Sequence, residues 1–591
     1  MTFNDIPIVF LARKTWKYSH DNRKNILMYI FLFSIANVIA LLEPLVVGLL
    51  LNTIQTEGVH QENFYTLLGI LSLFVVLELG FWLFHGPSRV IERKNSFLVR
   101  ANYKKYLVDG VMALPLQWHK DHHSGDTIDK IEKGVNALHE FSGNSYEILE
   151  AIIKLIGSYI AIIYFNLNAS YVVLFMFIII FSIIIKLDKR LRKQYRELNR
   201  TENEISAKVY DTISNITTVI ILRIEKLISK EIWKKIMKPK DVFNSNIALN
   251  ELKWFFVSLT TAVMIFFVLG SYIYFQIKNN STIMVGTLYA LYGYVGGVSS
   301  TLFRLASIYS RVVRQKTNVE NSEELAEEFK DGEKTKQIIL GTKWKSLYVN
   351  HLEFSYHTQQ EELHLKNISF RFNQGEKIAL MGVSGSGKTT FLKLIRGLYA
   401  PKQIRMSLDE RPLLGFKEIE DSIALIPQDP EIFSTTIKEN ITLGVNHQKE
   451  YIKRFTDMAC FSDVIERLPK GINSSILEKG VNLSSGEKQR LALARGLMAC
   501  EDKSIILLDE PTSSIDTKTE LAIYTNIFKA YPDKTVISSI HRLYLLPYFD
   551  KIYLFDKGTI VAFGSFDTLL RSSKPFRQVW DTYVKQSRKL K

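Results

Sequence analysis

The residues best equipped for chemistry lie late in the chain, in the stretch MGVSGSGKTTFLKLIRG, Met381 to Gly397. Gly382, Gly387, Lys388 and Thr389 match the spacing G-x-x-x-x-G-K-[ST], between an apolar strand-like run, KIALM, and a helical apolar pattern. Successive backbone N–H groups in such a loop, at the positive end of a helix, cradle phosphate oxygens. Lys388 would reach the β and γ phosphates, and the Thr389 hydroxyl would hold Mg2+. Downstream, SIILLDEPTSS is a buried-type strand ending in two carboxylates. Asp509 would order Mg2+ through water and Glu510 would polarise an attacking water. A lone Asp-Glu pair is ordinarily an exposed strand end; behind a phosphate loop it reads as the hydrolytic half of a nucleotide site. Between the two, LSSGEKQRLALARG opens an amphipathic helix at Ser484 and Gly486, a second end suited to an anion. A chain with its own phosphate loop needs that second end only if it serves another nucleotide.

The elements that must carry this chemistry occupy the last part of a 591-residue chain whose hydrophobic content, 47%, is unevenly spread. Six stretches before about residue 311 are candidates to cross a bilayer core, which takes about 20 mostly apolar residues. They are Ile26–Leu51, Phe64–Phe84, Ala151–Phe165, Tyr171–Ile185, a run beginning at Phe255 and a run beginning at Ile283. Six such runs inside a soluble protein would need an implausibly large dry core. The net charge of +15 raises nucleic-acid binding as a class, since basic patches neutralise phosphates. Its distribution argues against that class: Lys and Arg gather in two long segments, between spans two and three and between four and five, as in KLDKRLRKQYRELNR. The other connections, NTIQTEGVHQEN, NLNAS and KNNS, are short and nearly free of positive charge. By the positive-inside rule the basic segments and both termini are cytoplasmic.

The amino-terminal stretch has no small-residue cleavage pattern, and its apolar patch followed by basic residues suits a short interfacial helix over residues 1–24. The basic segments read as helical extensions of the spans that turn at polar tips, LPLQWHKDHHSGD, with Pro115 and Gly125 as breakers, and YDTISNITTVI. His119, His122 and His123 read as a solvated turn and not as a metal site. NVENSEELAEEFKDGEKTKQ reads as a charged linker. The expected organisation is therefore an interfacial segment, 1–24; an all-α membrane domain of six spans, 25–311; a linker, 312–336; and an α/β P-loop NTPase domain, 337–591. The two cysteines, Cys460 and Cys500, fall in the cytoplasmic half and read as reduced thiols.

Taken together, the motifs resemble those of ATP-binding cassette (ABC) transporters, specifically half-transporters of the exporter type, six spans followed by one nucleotide-binding domain. GVSGSGKTT resembles the Walker A motif, which brings Ser384, Gly385, Ser386 and Thr390 into the expected nucleotide site with Gly382, Gly387, Lys388 and Thr389. IILLDE resembles Walker B. IPQDPEIFSTTIKENI resembles the Q-loop with Gln428, LEKGVNLSSGEKQR the X-loop and signature, SSID the D-loop with Asp516, and SSIHR the switch with His541. Tyr356, in FSYHTQQ, lies where the family stacks an aromatic ring on adenine. The signature departs from the family's LSGGQ: Ser485 replaces the second glycine and Glu487 the glutamine, while Ser484 and Gly486 remain.

The resemblance implies two nucleotide domains closing head to tail, with ATP on one P-loop capped by Ser484 and Gly486 of the other. Glu510, His541 and Gln428 would be the catalytic set, with Thr389, Gln428 and Asp509 around Mg2+, and coupling helices near Leu116–His122 and Asp211–Asn215. A homodimer of the bacterial inner, cytoplasmic membrane would export or flip an amphipathic lipid, peptide or drug-like molecule; the alternative is an importer or ATP-gated conduit on the same fold. A soluble DNA-repair ATPase with a similar signature helix is excluded by the spans. For the cargo, Glu43 beside Pro44, Glu78, Tyr289 and Tyr292 are the intramembrane candidates, since ionisable groups there are rare and ordinarily face the bundle interior. A structural role, kink or helix packing, is the plainer reading of each.

Overall fold

The computed structural model describes residues 6–331, 337–341, 343–356, 363–429, 431–476 and 482–589. The described chain divides into two compact units, Met1–Ala113 with Ser124–Lys330, and Leu114–His123 with Asp331–Lys591. The first polar tip thus groups with the carboxyl-terminal unit.

The first unit is built from helices: α1 (Pro7–Tyr18), α2 (Arg23–Ala40), α3 (Glu43–Glu57) and α4 (Phe64–Met112) come first. Beyond α5 (Leu116–Asp121), which belongs to the second unit, follow α6 (Ser124–Gly143), α7 (Ser145–Phe165), α8 (Leu167–Ser214), α9 (Ile216–Ile221), α10 (Glu225–Met237), α11 (Lys240–Lys278) and α12 (Val285–Glu327). α4 has 49 residues and is about 74 Å long at 1.5 Å per residue, more than twice a hydrocarbon core of about 30 Å. Such helices are both span and extension, as the basic segments implied. Five stretches among the described residues are long and apolar enough to cross a membrane: Arg23–Glu57, Gln61–Met112, Ser145–Phe165, Leu167–Ser214 and Glu225–Lys278. The sixth expected span, α12, does not reach that hydropathy. Glycines at 293, 296 and 297 and buried Ser299 and Thr301 dilute its apolar run.

One span is broken within its length and another at its start, and side chains from neighbouring helices satisfy the broken ends. α2 stops at Ala40 and α3 restarts at Glu43 with Pro44 in its first turn, where a proline costs no hydrogen bond. The free Leu41 carbonyl accepts from the Tyr294 hydroxyl of α12 at 2.9 Å. Between α6 and α7 the break falls at Asn144, opposite a buried ion pair of α4. Arg89 donates to the Gly143 carbonyl at 3.1 Å, and the Glu92 carboxylate accepts from Ser145 Oγ at 2.7 Å and the Tyr146 N–H at 2.9 Å. Arg89 also pairs with Glu92.

Two expectations change here. Residues 312–327 are not linker but the end of α12, followed by a 3-10 turn, Glu328–Asp331. Val319, Ser322, Leu325 and Ala326 recur at helical spacing and are buried, so the charge run is the solvated face of an amphipathic helix. α1 packs on α12, α6 and α4, burying Leu11, Thr15 and Tyr18, and Lys14 pairs with Glu323. The second tip also moves: Asp211–Ser214 still belong to α8, and the short helix is α9, which ends in a turn where Arg223 takes φ 53°.

The second unit holds two sheets. β1 (Ser346–Phe354), β2 (Leu365–Asn373), β4 (Gln403–Leu408) and β5 (Arg411–Leu413) make an antiparallel sheet in the order β2-β1-β4-β5; β3 (Lys377–Met381) belongs to the other. With β3 in that sheet are β6 (Ile423–Ile426), β7 (Ile505–Asp509), β8 (Thr535–Ile540), β9 (Lys551–Asp556) and β10 (Thr559–Gly564), ordered β10-β9-β3-β8-β7-β6 and parallel except at β10. Every residue of β3, β7 and β8 is buried, as a parallel sheet covered on both faces requires. Ala379, Met381, Ile506 and Leu508 enter one core, and Ile378, Leu380, Ile505 and Leu507 the other. The covering helices are α13 (Lys388–Ile395), α14 (Ile437–Thr442), α15 (Lys449–Met458), α16 (Ser462–Arg467), α17 (Ser485–Ala499), α18 (Thr517–Ala530), α19 (Phe566–Ser572) and α20 (Lys574–Lys589).

Candidate nucleotide site

Four neighbouring parallel strands deliver the candidate residues at their carboxyl ends, where open α/β sheets bind ligands. β3 runs into the glycine loop and α13, β8 into His541, β7 into Asp509 and Glu510, and β6 toward Gln428. They meet around a cavity of about 350 Å3 lined by Ser384 to Thr390, Gln428, Glu510, His541 and His364. His364 had no motif to announce it.

The loop conformation is set by its glycines. Gly382, Gly385 and Gly387 take φ of 154°, 80° and 106°, in a region where a side chain is strained. A Cβ at Gly382 would lie 2.3 Å from the Phe555 carbonyl oxygen, and one at Gly387 2.7 Å from Leu365. Gly387 caps α13 without any side-chain bond, so the first N–H groups of the helix keep no internal partner. The Ser386 hydroxyl is buried and unpartnered. Lys388 folds back over the loop, donating to the carbonyls of Gly382 at 2.7 Å and Val383 at 3.2 Å. Burial lowers its pKa, and the charges of Glu510 and Asp509 oppose that shift. Free N–H groups, an idle hydroxyl and a cation in one cradle fit a phosphate chain.

The carboxylates divide their work. Asp509 accepts from Thr389 Oγ1 at 3.0 Å and Ser539 Oγ at 2.8 Å, making a cluster of oxygen donors of the kind Mg2+ prefers. Glu510 follows the strand end with φ 46°, an uncommon conformation that bulky residues adopt at a cost of order 1–3 kcal/mol. That turn brings its carboxylate between Gln428 Nε2, at 3.1 Å, and His541 Nε2, at 2.5 Å. Its own N–H donates to Ser539 Oγ at 2.9 Å. Ser539 was legible: it lies two residues before His541 in SSIHR, and alternate strand residues share a face. Tyr356 is half-buried beside the loop, with its hydroxyl donating to Thr390 Oγ1 at 3.1 Å and its ring edge-on to Tyr399. The rest of FSYHTQQ, His357 to Gln360, lies outside the described residues.

Ser484 and Gly486 open α17 away from this cavity; among the described residues, its lining includes neither. Ser484 Oγ accepts from the Glu487 N–H at 3.3 Å while the Glu487 carboxylate accepts from the Ser484 N–H at 2.9 Å, a capping box. Ser485 is the first helical residue and exposed, so the glycine it replaces is not needed for a positive φ. Gly486 is needed for space: a Cβ there would lie 2.8 Å from the Ser514 carbonyl oxygen. Leu477 to Val481, the X-loop part of the motif, lies outside the described residues.

Asp516 caps α18 by accepting from the N–H groups of Lys518 and Thr519, and the Thr519 bond chiefly lowers its pKa. Behind it the buried Glu520 carboxylate accepts from Thr512 Oγ1 at 2.5 Å and Arg542 Nη1 at 3.1 Å, and from Tyr544. That network ties the segment after Glu510 to the segment after His541, and nothing in motif spacing pointed to it.

In the first unit the cargo candidates do not converge. Glu43 is exposed at the start of α3, where Pro44 packs near Gly293 of α12. Glu78 is exposed on α4 and accepts from Trp82 Nε1 at 2.8 Å. Tyr289 and Tyr292 are exposed on α12, whereas Tyr294 is buried.

Comparison with known proteins agrees with this architecture. Residues 26–302 match the model of the ABC transporter transmembrane region and residues 365–513 that of the ABC transporter domain. The multidrug resistance-like ATP-binding protein MdlB of Buchnera aphidicola is 25% identical over 94% of this chain and 95% of its own length. The mitochondrial iron-sulfur clusters transporter ATM1 of Kluyveromyces lactis is 30% identical over 65% of this chain, which spans about half, 54%, of that relative. The structure of a bacterial Atm1-family ABC exporter with ATP bound has the same fold, with a TM-score of 0.78 at 21% identity over 95% of this chain and 99% of its own. With a membrane region and an ATP-binding domain in one multi-pass polypeptide, the chain belongs to the ABC transporters and has the fold of an ABC exporter.

Proposed function

We propose that two copies of this chain form an ATP-driven exporter or flippase for an amphipathic lipid, peptide or drug-like molecule, working in a bacterial inner membrane with both termini and the nucleotide domain cytoplasmic. The observation that carries the catalytic part is the Glu510 carboxylate, held between Gln428 and His541 at the edge of the phosphate cradle. Glu510 would take up the proton of the attacking water, His541 would position the γ-phosphate, and Gln428 would tie the site to the membrane half. Thr389, Asp509 and Gln428 would hold Mg2+, whose charge would offset that developing on the phosphates. Lys388 and the loop N–H groups bind and orient the triphosphate, and Tyr356 would stack on adenine. Since Ser484 and Gly486 stand off the chain's own cavity, they would complete the site of the partner copy, and Asp516 would lie beside that junction.

The test is transport in proteoliposomes of known orientation. Molecules that co-purify in mild detergent, identified by mass spectrometry, supply the cargo, and ATP is added only on the nucleotide-domain side. ATP-dependent movement of cargo away from that side, absent in Glu510→Gln, is the expected result; movement toward it would make the chain an importer.

A further inference from the structure

We propose that Arg467 is a positioning residue of the composite ATP site: its guanidinium neutralises the Glu487 carboxylate that this chain carries in its signature helix, so that the Ser484 end of α17 can receive a polyanion. The inference rests on the reading that Ser484 meets the ATP of a partner copy. It starts from a conflict. A helix N-terminus attracts phosphate through its N–H groups, and a carboxylate in the first turn opposes that attraction. Glu487 stands in that first turn, ionised at pH 7: the bond from the Ser484 N–H chiefly holds its pKa below the usual carboxylate range, and Arg467 adds to this.

The geometry resolves the conflict by giving each oxygen a separate task. Oε2 accepts from the Ser484 N–H at 2.9 Å, which keeps the capping box, while Oε1 faces Arg467 Nη2 at 3.0 Å. Ser484 Oγ accepts from the Glu487 N–H and so retains its own proton to donate to a phosphate oxygen. The Glu487 side chain is mostly buried and the Arg467 side chain mostly exposed, at 19% and 63% exposure. With its cation side open to solvent, the pair is screened and adds little to stability. Nor does Arg467 fasten its helix: α16 is already joined to α17 by Arg490, which donates to the Cys460 carbonyl and pairs with Asp463 at 3.2 Å. What Arg467 changes is the charge presented at the end of α17.

The experiment measures ATPase rate against ATP concentration for the full-length chain in proteoliposomes. Arg467→Ala and Arg467→Gln are expected to raise KM for ATP about tenfold while kcat stays within about twofold, with the defect shrinking as salt rises. Adding Glu487→Gln to either is expected to return KM to within about twofold of wild type, since glutamine preserves the capping box without the charge. An unchanged KM in both single variants, or a raised KM that Glu487→Gln does not rescue, overturns the proposal. Ser484→Arg separates the two levels: if it hydrolyses ATP normally, the reading of Ser484 itself is wrong. If it is inactive while both Arg467 variants match wild type, only the role of Arg467 is lost.

Discussion

The two units treat their polar groups in opposite ways. In the second, four strand ends bring Lys388, Gln428, Glu510 and His541 to one cavity with Asp509 bonded to its lining residue Thr389, and Glu510 alone has three hydrogen-bonded or ion-paired partners across the sheet. In the first, polar groups pair off locally to mend broken helices, as Arg89 and Glu92 do at Asn144 and Tyr294 does at Leu41. A parallel sheet converges side chains from residues far apart in sequence, so it suits a reaction centre. A bundle of long helices spreads them along its length, so it suits a conduit whose polar groups must first keep the backbone satisfied.

The contrast is broken most directly at Glu510. Glu510→Gln keeps an acceptor for Gln428 but would remove the proposed base, and the ATPase rate of the purified protein is expected to fall about a hundred- to ten-thousand-fold, the range for general base catalysis, with ATP still bound. Lys388→Ala is expected instead to lose bound nucleotide, because its cation belongs to the cradle. Wild-type turnover in Glu510→Gln would remove the carboxylate from the role of base.

A second test asks whether convergence stops at one chain. Lys388→Ala and Ser484→Arg should each abolish ATPase activity as homodimers. Coexpressed, they would form mixed dimers with one intact composite site, and activity is expected to return to at most about a quarter of wild type under random pairing. No recovery would mean that the two lesions do not belong to separate halves of two sites.

The comparison also explains what the sequence made legible. Phosphate loop, carboxylate pair, switch histidine and signature helix are local strings whose spacing follows from strand, turn and helix geometry, and the structure puts them on the expected element ends. Arg467 and the Glu520–Arg542 network were not readable, because their partners lie 20 and 22 residues away across turns that leave no pattern. In the first unit, the charge run at 312–327 was misread because Glu-rich helix faces and linkers share a composition; the buried Val319, Ser322, Leu325 and Ala326 were the periodic signal that distinguished them. The break at Asn144 left no proline as a marker, and the Arg89–Glu92 pair that satisfies its ends sits on another helix.

Glu92 gives the third prediction. Removing one member of a buried ion pair leaves an uncompensated charge, at about 3–5 kcal/mol, and here it also strips the acceptor from the start of α7. Glu92→Ala is expected to lower the thermal midpoint in detergent markedly while leaving the nucleotide affinity of the folded fraction unchanged. A midpoint equal to wild type would mean that α6 and α7 hold their break without α4.

The smallest effect, and the one that most sharpens the contrast, concerns Glu43 and Glu78. Both are exposed on this chain, but their surroundings differ. Glu78 is bonded to Trp82 and stands among the exposed apolar residues Val75, Leu79 and Trp82, a surface suited to lipid with the carboxylate tied to an indole. Glu43 opens α3 at the broken span, where Pro44 packs against Gly293, one residue from the exposed Tyr292 of α12. A cation or hydrogen-bond donor on the cargo would find in Glu43 an exposed acceptor at the break between α2 and α3, not one tied to a neighbouring side chain as Glu78 is to Trp82. Glutamine preserves size and hydrogen bonding at either position while removing charge, so the two substitutions compare charge alone. Glu43→Gln is expected to reduce ATPase stimulation by a cationic amphipathic dye about two- to fivefold, at the scale of a single partly exposed charge contact, and Glu78→Gln to leave it within error. Stimulation by a neutral lipid should respond to neither. Equal, undiminished stimulation in both variants would assign the two carboxylates to helix structure and leave Tyr289 and Tyr292 as the candidates for cargo contact.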